Sequence, residues 1–263
     1  MPTRQTHHAG WTLLETLVVL VVILIAIGVL LPMLSVRPRI NSRRTANTTQ
    51  LRGIHQGMHI FAQSNQTAGQ DGYFPGLDAS GGVVPNGPET GYSGEGTEPA
   101  ARLWMMLDGR MFTPEYLINP ADPIAKELTS APVGPGTGST SYTPLRTLNH
   151  SYALLGLLAE NQRGEWKETF HTGAIVAGNR AIGTGPADLS SVWTRPRSGD
   201  WRGGIVRNDN STSFETTAEF DTRFARPDGT VDHNPVDHLF EDDPAKADAF
   251  LVHDDAGTAY SLR

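Results

Sequence analysis

An uncharged apolar run near the start of the chain constrains its fold more than any other feature. Residues 17–34 contain no charged side chain. At about 1.5 Å rise per residue a helix of this length covers roughly 27 Å, close to the roughly 30 Å hydrocarbon thickness of a bilayer. The run therefore predicts a membrane-crossing helix. Glu15 stands just before it, and a carboxylate in a membrane segment needs a functional explanation because it is costly there.

Three kinds of N-terminal segment are compatible with an apolar run. A cleaved secretory signal has a shorter run, of about 7–15 residues, followed by a small-residue cleavage site. Here the run is longer and leads into "PMLSVRPRINSRR" without an A-x-A pattern. An ordinary single-pass anchor fits the length and would place Glu15 among the lipid headgroups. A third kind accounts for more of the residues.

The stretch "AGWTLLETLVVLVVILIAIGVLLPML" resembles the type III signal of type IV pilins and type II secretion pseudopilins. In that family a prepilin peptidase cuts after a Gly on the cytoplasmic side and the new first residue is N-methylated. A Glu stands at the fifth mature position, and the apolar helix often contains a Pro. Gly10, Trp11, Glu15 and Pro32 occupy the matching positions, with Trp11 in place of the usual Phe.

The resemblance implies a role for each of these residues. The chain would be cut after Gly10 and methylated at Trp11, and Pro32 would kink the helix. Glu15 would pair with the α-amino group of Trp11 in a neighbouring subunit and so set the register of a filament. The implied partners are the prepilin peptidase, other pilin or pseudopilin subunits, the inner-membrane assembly machinery and membrane lipid.

The distribution of arginines leaves the membrane orientation open. The first ten residues contain only Arg4, whereas Arg37, Arg39, Arg43 and Arg44 follow the apolar run. Positive charge usually marks the cytoplasmic side of a span, which would place the later arginines in the cytoplasm. The resemblance instead implies a C-terminal domain outside the cytoplasm, in the cytoplasmic (inner) membrane first and in a pilus or pseudopilus afterwards.

Beyond the apolar run, the spacing of Leu51, Ile54, Met58 and Phe61 predicts a helix with one buried face. We expect one helix from about residue 12 to 64, curved or kinked at its prolines. The predicted organisation is a leader (1–10), a transmembrane half of the helix (11–36), an amphipathic half (37–64) and a globular domain with an acidic C-terminal tail (65–263).

The second half of the chain carries strand signals. The segments 150–158, 172–178, 201–208 and 212–217 are rich in β-branched or aromatic residues and are bounded by Gly, Asn and Asp. "NDN" between the last two predicts a hairpin turn. A long helix packed on a small antiparallel sheet with long irregular loops is an α+β fold.

The C-terminal tail is strongly acidic. Residues 199–263 contain 14 Asp and Glu against 6 Lys and Arg. Oxygen-rich loops suit Ca²⁺, so Asp232, Asp237, Asp242 and Asp243 are candidate ligands, although their spacing matches no EF-hand loop. Charge runs more often form a solvated loop, and this alternative stays open.

No catalytic motif stands out. The chain lacks G-x-S-x-G, H-E-x-x-H and P-loop patterns and contains no cysteine, which removes thiol nucleophiles and Cys-ligated metal sites. We expect a non-enzymatic, pilin-like structural subunit of a type II secretion pseudopilus or type IV pilus. The alternative is a single-pass, membrane-anchored binding module that does not polymerise.

Overall fold

A computed structural model describes most of the chain as two compact units, Met1–Arg43 and Arg44–Arg263. The described residues are 13–35, 37–66, 72–84, 97–125, 149–194, 199–253 and 260–261, and among these the side chains of 29–35, 37–39 and 260–261 are not described. The predicted leader and cleavage junction, with Gly10 and Trp11, lie outside the described residues.

The region predicted as one helix is helical on both sides of residue 36. Helix α1 covers Leu13–Ser35 and helix α2 covers Arg37–Ser64, while residue 36 is outside the described residues. Pro38 lies among the helical residues that follow residue 36. The predicted end of the helical region, at residue 64, is confirmed.

The second unit combines the C-terminal part of α2 with a short helix and an antiparallel sheet, which confirms the α+β class. Helix α3 covers Pro99–Asp108 and is followed by a 3₁₀ turn at Pro114–Leu117. Five strands form the main sheet: β1 (Tyr152–Leu155), β2 (Ile175–Asn179), β4 (Gly203–Arg207), β5 (Thr212–Glu215) and β8 (Leu251–Val252). Their order in the sheet is β5-β4-β2-β1-β8, and all neighbouring pairs are antiparallel.

The four predicted strands correspond to β1, β2, β4 and β5. The hairpin between β4 and β5 turns at the predicted "NDN", where Asn210 adopts a left-handed conformation with φ of 64°. A short parallel pair joins β3 (Ala181–Ile182) to β9 (Tyr260–Ser261). The four segments predicted as strands thus form a sheet, as their β-branched and aromatic residues indicate.

The acidic tail contains a hairpin that the sequence analysis missed. Strands β6 (Glu219–Ala225) and β7 (Val231–His238) pair along their length and turn at "RPDGT". The interpretation of this stretch as a loop is therefore wrong over the two strands. The "DG" turn was a usable signal, but charged side chains dominate both flanks, and Pro235 argued against a strand although an edge strand tolerates it.

Helix α2 packs on the sheet through the face predicted from its spacing. Leu51, Ile54 and Met58 are completely buried and belong to the main hydrophobic core, together with residues of β1, β2 and β4. Phe61, the fourth member of the predicted face, is only partly buried. Burial of such side chains stabilises the fold by about 1.5–3 kcal/mol each, so the core holds this part of α2 in place.

Candidate functional site: the N-terminal helix

The predicted assembly residue, Glu15, is the third residue of α1 and lies in its first turn. The positive end of the helix dipole favours a carboxylate at that position. This explanation applies to any helix, so the location alone does not assign a role to Glu15. Pro32 lies within α1, its side chain is outside the described set, and the kink at Pro32 stays a prediction.

The described side chains of α1 show an apolar surface on every face. From Leu13 to Ile27, each large apolar side chain is between 43% and 86% exposed. Monomeric soluble proteins rarely expose a continuous apolar surface of this kind, and such surfaces mark contacts with proteins or lipid. Over the described residues, no helix is both long enough and apolar enough to cross a membrane.

A groove lies beside α2 in the second unit. Its volume is about 220 Å³, and it is lined by one face of the helix and by the segment 111–116. Gly53 and Gly57 allow the segment 111–116 to lie close to α2. A Cβ atom at Gly53 would lie 2.5 Å from a ring carbon of Tyr116, and one at Gly57 would lie 3.0 Å from Phe112. Ile60, at the same groove, is 53% exposed.

The four aspartates predicted as calcium ligands accept hydrogen bonds from the protein itself. Asp232 accepts from Arg226 Nε and from the Ala247 amide, both at 2.7 Å. Asp243 accepts from the Ala245 amide at 3.1 Å. Asp237 accepts hydrogen bonds from the Thr222 hydroxyl and the Ala249 amide, and Asp242 accepts one from the Gln162 side chain.

These contacts do not form a metal site in the described part of the chain. No group of three or more His, Asp or Glu side chains among the described residues is placed to hold a metal ion. Calcium binding therefore stays a prediction from composition. Of the four predicted ligands, Asp232 and Asp237 lie on β7, whereas Asp242 and Asp243 follow it in the chain.

A different aspartate, Asp248, occupies a more unusual environment. Its side chain is buried and accepts hydrogen bonds from Gln162 Nε2 at 2.8 Å and from the Asp243 amide at 2.7 Å. Burial, with smaller contributions from Asp237 and Asp242, raises the pKa of Asp248 to about 7. Nothing in the local sequence distinguishes this carboxyl from those of the exposed Asp242 and Asp243.

The interior also contains a buried polar group that the sequence did not indicate. Arg180 and Asp122 form an ion pair at 3.0 Å with both side chains buried, and the Ser151 hydroxyl donates to Asp122 at 2.9 Å. His150 and His253 are buried as well. No local pattern could reveal this group, since its members lie up to 131 positions apart in the sequence.

Comparison of the chain with protein-family models, with curated proteins and with solved structures finds no match.

Proposed function

We propose that this chain is a pilin-like structural subunit. A prepilin peptidase removes residues 1–10, and the mature chain assembles through its N-terminal helix into a type II secretion pseudopilus or a type IV pilus. The observation that carries the proposal is the arrangement of the first helix. A single carboxylate, Glu15, stands in the first turn of a helix whose apolar side chains are exposed on every face.

The exposed surface of α1 requires a covering partner, because apolar area in water is unfavourable by about 25 cal/mol per Å². Before assembly, lipid covers the apolar surface of α1. After assembly, the α1 helices of other subunits cover it. In this proposal the first half of the helical region lies in the membrane and the second half packs on the sheet. The buried face of α2 supports the packing of the second half.

Glu15 supplies the charge that sets the register. Cleavage after Gly10 creates an α-amino group on Trp11, about one helical turn from the carboxylate. In a filament, the amino group of one subunit pairs with Glu15 of its neighbour. Ion pairs are strong in a surrounding that excludes water, and an unpaired buried charge is costly, so a subunit out of register is disfavoured.

The processing step is tested by intact mass after co-expression of the full chain with a prepilin peptidase. We expect a product that begins at Trp11 and is heavier by one methyl group. Gly10→Ala should abolish cleavage. Gly28→Ala is the matched control, because a Cβ at Gly28 meets no atom within 4 Å, and this variant should be cut normally.

The assembly step is tested on the cleaved protein. Glu15→Ala and Glu15→Gln should both be processed yet fail to form sedimentable filaments, since each lacks the charge that pairs with the amino group. Leu14→Ala shortens the adjacent exposed side chain and keeps the carboxylate, so filaments should persist. A chain that stays uncut at the membrane would support the alternative, a single-pass binding module that does not polymerise.

A further inference from the structure

Two buried histidines join the C-terminal part of the chain to the start of the sheet. His150 lies two positions before β1, and His253 follows β8 directly. Both side chains are completely buried, and their ring centroids are 4.4 Å apart. The two imidazoles therefore lie against each other at the edge of the sheet, because β8 is an outermost strand and pairs with β1.

The contacts of the two rings determine which nitrogens carry hydrogen. His150 Nδ1 lies 3.0 Å from the carbonyl oxygen of Tyr152, and His253 Nε2 lies 3.1 Å from the carbonyl oxygen of His150. A carbonyl oxygen can only accept, so each of these nitrogens must donate. In the neutral rings His150 Nε2 and His253 Nδ1 therefore carry no hydrogen. Both atoms are buried and have no hydrogen-bond partner among the described residues.

The charges around the pair disfavour a further proton. Burial, followed by the positive charges of Arg180 and Arg102, lowers the pKa of His150 to about 4, although its hydrogen bond to Tyr152 and the carboxylate of Asp122 act in the opposite direction. Burial also holds the pKa of His253 well below its usual range, with His150 and Arg180 contributing. A protonated ring would present an N–H without an acceptor beside these cations.

We propose that His150 and His253 form an acid-sensitive clasp that holds β8 against β1 and opens when either ring is protonated. Strand β8 pairs with β1 at only two positions, Leu154 with Val252 and Leu155 with Leu251. The hydrogen bond from His253 to the carbonyl oxygen of His150 lies next to this short ladder. Beside this ladder the Gly156 amide donates to the Phe250 carbonyl oxygen and the Leu251 amide donates to the Leu239 carbonyl oxygen, both at 2.7 Å. The strand is thus held by few backbone bonds, and we expect it to open before the central strands.

The direction of the effect follows from linkage between opening and proton binding. The open form exposes ordinary imidazoles with a pKa near 6.5, whereas the closed form binds protons only at lower pH. The clasp is therefore fully stable above pH 6.5 and weakens as the pH falls. For one ring whose pKa is about 4 when closed, the opening equilibrium constant rises about 30-fold between pH 8 and pH 5.

Hydrogen exchange on the full chain tests the clasp, with exchange times scaled for the intrinsic pH dependence of the reaction. Amides of residues 250–253 should show an opening constant that rises at least about 30-fold between pH 8 and pH 5. The double variant His150→Gln/His253→Gln removes both titrating groups and should show no rise. His233→Gln is the matched control, since His233 is 46% exposed and pairs with Asp221, and it should behave as wild type.

Two results would overturn the proposal: wild-type exchange at 250–253 that does not change with pH, or an equal rise in the double variant. Should the double variant fail to fold, a proton NMR titration of the wild-type imidazoles decides the matter. Ring signals that stay unshifted until the segment opens support the clasp. Signals of His150 and His253 that titrate near pH 6.5 in the closed protein contradict it.

Discussion

The side-chain amides of Asn47 and Asn179 form a reciprocal pair that joins α2 to the sheet. Asn47 Nδ2 donates to Asn179 Oδ1 at 2.8 Å, and Asn179 Nδ2 donates to Asn47 Oδ1 at 3.0 Å. Asn179 Oδ1 also accepts from the Gly204 amide at 2.6 Å. Both side chains are buried, so each amide depends on the other because water does not reach either of them.

Asn47→Ala should therefore destabilise the protein. The substitution leaves Asn179 Nδ2 buried without its acceptor, and an unsatisfied buried group costs about 1–3 kcal/mol. Urea unfolding of the full chain measures the loss. Gln56→Ala, at an exposed position of the same helix, should change the free energy of unfolding by less than about 0.5 kcal/mol. Equal effects of the two substitutions would argue against the amide pair.

Gly204→Ala tests the close approach of α2 to β4. A Cβ atom at this position would lie 2.5 Å from Asn47 Nδ2 and 2.8 Å from Leu51 Cδ1. Overpacking of this kind costs about 1–3 kcal/mol, and the displaced Asn47 also loses its bond to Asn179. Thermal unfolding should show a clearly lower midpoint for Gly204→Ala. Gly185→Ala should leave the midpoint unchanged, since a Cβ at Gly185 meets no atom within 4 Å.

Asp248 should make the protein more stable at mildly acidic than at alkaline pH. Its pKa is about 7 in the folded state against the ordinary value of 3.8 for an aspartate, so the folded state binds the proton more tightly. This contribution is complete below pH 3.8 and is lost as the pH rises towards 7, by an amount on the order of a few kcal/mol. The buried histidines act in the opposite direction, so the informative quantity is the difference between wild type and Asp248→Asn.

That difference is measured by unfolding at a series of pH values between 4 and 8. Wild type should gain stability relative to Asp248→Asn as the pH falls. Asp228→Asn is the control, because the hydrogen bonds of Asp228, first among them that from the Thr230 hydroxyl, lower its pKa and so move it away from the range in which Asp248 titrates. Parallel curves for wild type and Asp248→Asn would contradict the assignment.

Asp122→Ala should be among the most damaging substitutions in the second unit. It leaves the buried Arg180 guanidinium without its carboxylate, and breaking a buried ion pair by removing one partner costs about 3–5 kcal/mol. Asp200→Ala removes the carboxylate of a solvent-accessible pair with Arg202 and should cost about 0–1 kcal/mol. Chemical denaturation of both variants gives the comparison, and similar losses would show that burial does not govern the Asp122 pair.

Elements with a strong local period were predictable. The spacing of Leu51, Ile54 and Met58 identified the buried face of α2, and β-branched or aromatic residues between turn signals located β1, β2, β4 and β5. The hairpin of β6 and β7 was missed because only one of its strands carries the usual signal. In β6, Phe220, Thr222 and Phe224 alternate with charged residues. In β7 the buried positions, such as Asn234, are polar and no apolar alternation exists.

The sequence by itself determined the apolar character of residues 17–34, the position of Glu15 before them and the α+β class, because these follow from the order of residues along the chain. Tertiary structure alone decided the partners of the buried polar groups. Asn47 meets Asn179, and His150 meets His253, across more than a hundred positions. Such contacts depend on how the strands and helices pack, and the shifted pKa values of buried groups follow from the dry surroundings that the packing creates.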